Sequence, residues 1–243
     1  MPKQRLDNLL VSHGLAENKS KAQACILAGD VLVDGQVVTR AGSLFSPDVN
    51  IQLRQKAPFV SRGGLKLQHA LRQFGINVKG MVCLDVGAST GGFTDCLLQG
   101  GARRVYAIDV GYNQIDYKLR QDSRVIVMER INAHYPFELP EKVDLSVMDL
   151  SFISVRKVIP GIVPHLKPGA NMLILFKPQF EAKRSQVGKG GVIKDPLVHA
   201  LVINDFIIWM NENNFKLLNL TASPISGADG NREFLIYMRP PRI

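Results

Sequence analysis

The chain has 243 residues, 46% hydrophobic and 21% charged, enough apolar material for one large core or a large and a small one. No apolar run nears the ~20 residues of a membrane span, and MPKQRLDNLL lacks a signal-peptide h-region, so a cytoplasmic protein without membrane contact is expected. The net charge is +9, and residues 61–80 hold Arg62, Lys66, Arg72 and Lys79 with no acid, which suits a polyanionic partner or simply a basic solvated face.

In chain order, RLDNLLVSHGL places Leu6, Leu9 and Leu10 at helical spacing and ends at Gly14. Asn18 is a good N-cap for a second helix, closed by Gly29. VLVDGQVV follows, and Asp34-Gly35 between alternating apolar residues is a strong hairpin signal. A last strand is expected at NIQL. These elements predict a small α+β module over 1–55, a linker over 56–64 punctuated by Pro58 and Gly63-Gly64, and a second domain over 65–243. That domain opens with an amphipathic helix over 65–75.

From Met81 onward, MVCLDV, RVYAID, RVIVME, VDLSVMD and NMLILFK read as strands, with helical patterns between most of them. A long helix near 197–214 precedes FKLLNLTAS and FLIYMRP, which fit a terminal antiparallel hairpin. Alternating strands and helices predict an α/β fold: a mostly parallel, Rossmann-like sheet with helices on both faces. Phe93 and Phe152 are expected in the core. Cys25, Cys83 and Cys96 show no C-x-x-C spacing and suit reduced, buried thiols. The five histidines have no metal spacing, so no metal is expected.

The segment DVGASTGGFT follows the first of these strands and opens a helix, the context of a nucleotide loop. Its glycines allow a sharp turn and close approach of a ligand. It departs from G-x-G-x-x-G, however, and places Asp85 at the strand end. A diphosphate is repelled by that carboxylate, whereas the ammonium and sulfonium of S-adenosylmethionine are attracted. Asp109 ends the next strand, where a carboxylate accepts from ribose hydroxyls. Asn132, after the third strand, is placed to read the adenine edge. The expected cofactor surface is therefore Asp85, Gly87, Ala88, Ser89, Thr90, Gly91, Gly92 and Phe93 of the loop, with Asp109, Val110, Asn132 and Asp149. An ordinary tight strand–helix turn is the plainer alternative.

RLDNLL, VLVDG, SRGGLKL, DVGASTGGFTD, DLSFIS, KPQFE and GNREF together resemble the TlyA family across essentially the whole chain. The resemblance implies an S4 RNA-binding domain joined to an FtsJ-like methyltransferase that modifies ribose 2′-hydroxyls of ribosomal RNA, with a cytidine as target. Many such relatives carry a haemolysin label. The family's catalytic set maps onto Lys66, Asp149, Lys177 and Glu233. Asn18-Lys19 stands where many relatives have Ser-Arg, which keeps cap and charge but not the planar guanidinium.

A 2′-hydroxyl attacks poorly until its proton is lost or shared, and a lysine takes that proton when burial or a nearby cation favours its neutral form. Lys177 ends the strand LILFK and is assigned to the 2′-oxygen. Lys66 is the second cation, Asp149 steers Lys177, and Glu233 positions Lys66. A solvated strand-end lysine and a surface Arg232–Glu233 pair are the plainer readings. Arg5, Lys19 and Lys21 are expected to contact RNA phosphates, with Arg62 continuing toward the catalytic edge, although Arg5 also suits a helix-start ion pair with Asp7. The Lys- and Gly-rich stretch AKRSQVGKGGVIKD is either an RNA clamp or a surface loop.

Four rivals remain. A nicotinamide dehydrogenase needs the missing G-x-G-x-x-G. A lytic haemolysin needs a span or a strongly amphipathic helix. A pseudouridine synthase leaves the glycine loop without a task, and a non-catalytic RNA-binding protein leaves Lys177 and Asp149 without one.

Overall fold

The computed structural model describes residues 2–54, 57–227 and 229–241. The backbone forms two compact units, Met1–Ala57 and Pro58–Ile243. Gln55 and Lys56, where the first module was expected to pass into the linker, lie outside the described residues.

The first unit contains β1 (Gln4–Arg5), α1 (Leu6–Ser12), α2 (Lys19–Leu27), β2 (Val31–Val33), β3 (Gln36–Val37), β4 (Leu44–Phe45) and β5 (Ile51–Leu53). Leu6 and Leu10, one helical turn apart, meet Ala22 and Ile26 of α2 over Val31 and Val33. The Asn18 side chain caps α2 by accepting the Lys21 backbone N–H at 2.9 Å. Asp34 and Gly35 take φ of 48° and 80°, the positive pair that a two-residue hairpin demands. β2 is the middle of the antiparallel sheet β3-β2-β5, and β1 pairs with β4.

The second unit contains α3 (Gly63–Gln73), β6 (Val82–Val86), α4 (Gly92–Gln99), β7 (Arg104–Asp109), α5 (Tyr117–Gln121), β8 (Val125–Glu129), β9 (Val143–Met148), α6 (Ile159–Ile162), β10 (Leu166–Phe176), α7 (Pro178–Glu181), α8 (Pro196–Glu212), β11 (Lys216–Ala222) and β12 (Phe234–Arg239). Among the described residues its sheet has seven strands in the order β11-β12-β10-β9-β6-β7-β8. β12 runs antiparallel to both neighbours and the other pairs are parallel. β6 is buried throughout, as a strand covered on both faces must be. One face packs under α8 through Phe176, Phe206 and Met210, the other under α3 and α4 through Leu67, Leu97 and Leu175. The chain leaves β6 toward β7 and β8, then returns to its other side with β9 and β10. The carboxyl edge at β6 and β9 is thus a topological switch point, where open α/β sheets hold ligands.

Two expectations change, the linker and the place of Phe152. The described part of the expected linker is folded: Phe59 is buried, and Gly63 and Gly64 begin α3 rather than marking a turn. A side chain at Gly64 would lie 2.3 Å from the Phe59 ring, so this glycine serves a close contact. Between β9 and β10 the chain forms only short helical turns, because Pro160 and Pro164 deny a longer helix its hydrogen bonds. Phe93 is core, but Phe152 is 90% exposed.

Cys83 and Cys96 are buried thiols, pushed up to about 12 chiefly by desolvation, whereas Cys25 is partly exposed. Among the described residues no group of three His, Cys, Asp or Glu could hold a metal, and no helix is long and apolar enough to cross a membrane.

Candidate active site

The loop between β6 and α4 is shaped by close backbone contacts. Gly87 has φ +84°, and a Cβ there would lie 2.5 Å from the Asp149 carbonyl oxygen. The Asp149 N–H in turn donates to the Val86 carbonyl at 3.0 Å. Gly92, at the start of α4, faces the start of α3: a Cβ would meet Ser61 Oγ at 2.2 Å and the Gly64 nitrogen at 3.0 Å. Gly92→Ala should therefore push α3, and Lys66 with it, off the loop. The expected loss is about 1–3 kcal/mol of stability, the usual range for overpacking, which urea titration checks.

Lys66 and Asp149, with Lys177, line one cleft above this loop, together with Ser61, Gly63 and Ser151. Lys177 Nζ lies 2.7 Å from Asp149 Oδ1 and 2.9 Å from Ser151 Oγ. Lys66 Nζ lies 2.5 Å from Glu233 Oε2, both residues being buried. Each lysine thus has its own carboxylate, and Glu233 faces Lys66 rather than Arg232. Ser61 and Ser151 were not singled out from sequence, although both sit inside quoted motifs, SRGGLKL and DLSFIS. The second of these loops is clamped by Glu181, which accepts from Ser154 Oγ and from the Val155 N–H, each at 2.7 Å. Phe152 projects from it with φ +64°, its ring 5.2 Å from that of Phe180. An exposed aromatic held in a left-handed backbone beside Ser151 is a strained feature that core packing does not explain.

Behind the loop, Asp85 is fully buried and is not among the cleft-lining residues. Thr94 Oγ1 donates to its Oδ2 at 2.7 Å, while Oδ1 has no protein partner. Burial pushes this carboxyl up to about 7, the Thr94 hydrogen bond opposing and Asp149 adding to the rise. A buried, half-satisfied carboxylate at the strand end fits a cationic ligand nearby. Without ligand, the folded state holds this proton where the unfolded chain has lost it. Stability contributed by Asp85 should therefore fall as pH rises from about 4 to about 7. The difference in unfolding free energy between the wild type and Asp85→Asn, followed over that range by denaturant titration, should show the decline.

Asp109 Oδ2 accepts from the Ser89 N–H at 2.8 Å and Oδ1 from the Gly111 N–H at 2.7 Å, which aims its carboxylate at a second hollow. That hollow is lined by Ala88, Ser89, Asp109, Gln114, Ile115 and Glu129, among others. Thr90, Gly92 and Phe93 line the cleft, and Gly91 bonds within the loop to the Ala88 carbonyl. Four of the expected positions, Asp85, Gly91, Val110 and Asn132, line neither space. Val110 points outward, 66% exposed. Asn132 is exposed, its Oδ1 accepts the His134 N–H, and it lines neither space. Gln114 and Glu129 line the hollow at Asp109 instead; β8 ends at Glu129, and Arg130 follows with φ +60°.

In the first unit, Arg5 makes a bidentate pair with buried Asp7 at 3.0 and 2.7 Å, and Lys19 Nζ lies 3.9 Å from the same carboxylate. The Arg5 hydrogen bonds hold the Asp7 carboxyl well below the usual carboxylate range. Lys21 pairs with Glu17 at 2.5 Å. The ion-pair reading of Arg5 is thus realised, and its guanidinium stays half-exposed for an outside anion. Arg62 is exposed and donates to the Ser226 carbonyl at 3.0 Å.

A doubly wound sheet with a glycine loop at its switch point and acids at two strand ends defines a methyltransferase that uses S-adenosylmethionine. Sequence comparison agrees: residues 59–240 match the FtsJ-like methyltransferase family and residues 4–51 the S4 domain. The chain belongs to the TlyA family, in which these two domains are joined. The 16S/23S rRNA (cytidine-2'-O)-methyltransferase TlyA of Mycobacterium tuberculosis is 41% identical over 97% of this chain and 89% of that protein. Hemolysin A of Brachyspira hyodysenteriae is 46% identical over 96% and 98%. A solved Streptococcus thermophilus structure, assigned provisionally as a hemolysin, superposes with a TM-score of 0.75 at 38% identity, covering 100% of this chain and 90% of that one.

Proposed function

We propose that this protein methylates the ribose 2′-hydroxyl of a cytidine in ribosomal RNA, in the cytoplasm. The reading rests on Lys177 Nζ, held at 2.7 Å by Asp149 and 2.9 Å by Ser151 in the cleft that also contains the buried Lys66–Glu233 pair. The Mycobacterium tuberculosis relative, named for 2′-O-methylation of cytidine in rRNA, supports the same chemistry.

When bound, S-adenosylmethionine supplies a methyl group made electrophilic by its sulfonium. Asp85 beneath the loop and Asp109 at its side would hold the cofactor. Lys177 donates its remaining N–H to the 2′-oxygen and orients it, while the hydroxyl's proton leaves to water as the oxygen gains its bond to carbon. Asp149 keeps Lys177 on one rotamer, and Lys66, fixed by Glu233, stabilises the negative charge that develops on oxygen. Alignment of the reactants carries much of the acceleration. Phe152 and Phe180 offer ring faces at the loop that carries Ser151, the surface an unstacked base takes. Residues 1–55 act as the docking module and 65–243 as the catalytic one.

Incubation of ribosomal subunits with labelled cofactor, followed by mapping, should place the label on a ribose 2′-oxygen of a cytidine. Label on a base would end the ribose assignment. RNA binding without transfer would favour a non-catalytic role, and lysis of erythrocytes by nanomolar purified protein would favour a membrane-active one.

A further inference from the structure

The stretch between α7 and α8 is richly cationic yet ordered from beneath. Lys183, Arg184, Lys189 and Lys194 are exposed, as is Arg232. Among the described residues, none of the five has an ion pair. Unpaired cations at this density repel one another and favour a polyanion. A loop that merely fills solvent needs no buried polar side chain to hold it, but this one has such a side chain. Asn231 is 3% exposed; its Oδ1 accepts the Ile193 N–H at 3.1 Å and its Nδ2 donates to the Gly191 carbonyl at 3.0 Å. Ile193 itself is buried. The Asn231 carbonyl accepts the Gly227 N–H at 2.9 Å. Two residues on, Glu233 holds Lys66. One side chain thus ties the cationic loop to the strand entry that carries the carboxylate fixing Lys66.

We propose that residues 183–194 form an arm that grips the RNA phosphate backbone, and that Asn231 is the positioning residue that links this arm to the Lys66–Glu233 pair. The inference rests on RNA being the substrate. Gripping phosphate pulls on the loop, and through Asn231 the pull acts on the segment that sets Glu233. RNA binding and alignment of Lys66 are then coupled through a short, rigid, hydrogen-bonded path.

The test uses the full-length protein with unmethylated ribosomal subunits. The double variant Lys189→Ala/Lys194→Ala should raise KM for subunits about tenfold. It should also flatten the slope of log affinity against log salt by between one and two, since each lost phosphate contact removes about 0.7–0.9. Asn231→Ala should raise KM and also lower kcat about tenfold, with the cofactor dissociation constant unchanged. Asn231→Asp keeps an acceptor for Ile193 but loses the donor to Gly191, and should fall between. Wild-type KM and salt slope in the double variant would overturn the arm. Wild-type kcat in Asn231→Ala, or in Asn231→Asp should the alanine variant fail to fold, would overturn the linkage. Subunit binding measured without cofactor reads the arm alone, so its failure is distinct from failure of methyl transfer itself.

Discussion

Lys177→Ala is expected to slow methyl transfer by about 10³-fold while leaving the cofactor bound, the loss falling within the range for removing a preorganised donor to a developing oxyanion. The lysine follows β10, whose last residue, Phe176, is fully buried, so the backbone that aims it is rigid. Its ammonium lies between Asp149 and Ser151, which leaves its remaining donor for the cleft. The truncated side chain reaches neither the substrate oxygen nor Asp149, and Asp149 would then face the reacting centre unneutralised. Lys177→Arg should not rescue, because a planar fork replaces a compact ammonium at a site shaped for the latter. Single-turnover transfer and equilibrium cofactor titration, run on the same preparations, separate the two effects. Near-normal turnover in the alanine variant would remove Lys177 from the mechanism.

The second large effect concerns folding as much as activity. Glu233→Ala should destabilise the protein by about 3–5 kcal/mol, because it leaves the Lys66 ammonium buried without its partner. That is a large share of the ~5–15 kcal/mol that holds a typical domain together. Lys66→Met combined with Glu233→Leu should regain most of that stability, since apolar side chains of similar volume replace both charges. Transfer should stay absent, because the cation beside the developing alkoxide is gone. Urea denaturation of the wild type and the two variants, with activity alongside, tests this. A double variant as unstable as Glu233→Ala would mean that the pair is not the reason for the loss.

Features set by neighbouring residues were legible in the chain. Asn18 capping, the Asp34-Gly35 turn and the DVGASTGGFT loop each depend on a few adjacent residues whose backbone angles and side-chain reach are local properties. The alternation of β and α patterns likewise specified a parallel sheet, and with it the edge on which Asp85, Asp109, Asp149 and Lys177 fall. Where the local signal was ambiguous the reading went astray. Gly63-Gly64 looked like a loop because two glycines usually are one, yet they pack α3 against Phe59 and α4. Phe152 looked like core because phenylalanine usually is, yet Glu181 clamps its loop so that the ring faces out.

By itself, then, the sequence determined the two modules, the strand ends and the residue types available for methyl transfer, because those follow from periodicity and turn chemistry. The tertiary structure decided which charges meet. Lys66 and Glu233 lie 167 positions apart. They touch because β12 inserts antiparallel between β11 and β10, while α3 packs against α4 beside the glycine loop. The tertiary structure also gathered Gln114, Glu129 and Asp109 around one hollow, and joined Asn231 to the stretch before α8. Such contacts depend on sheet order and helix packing, which bring distant segments within hydrogen-bonding range, and no short stretch of chain encodes them.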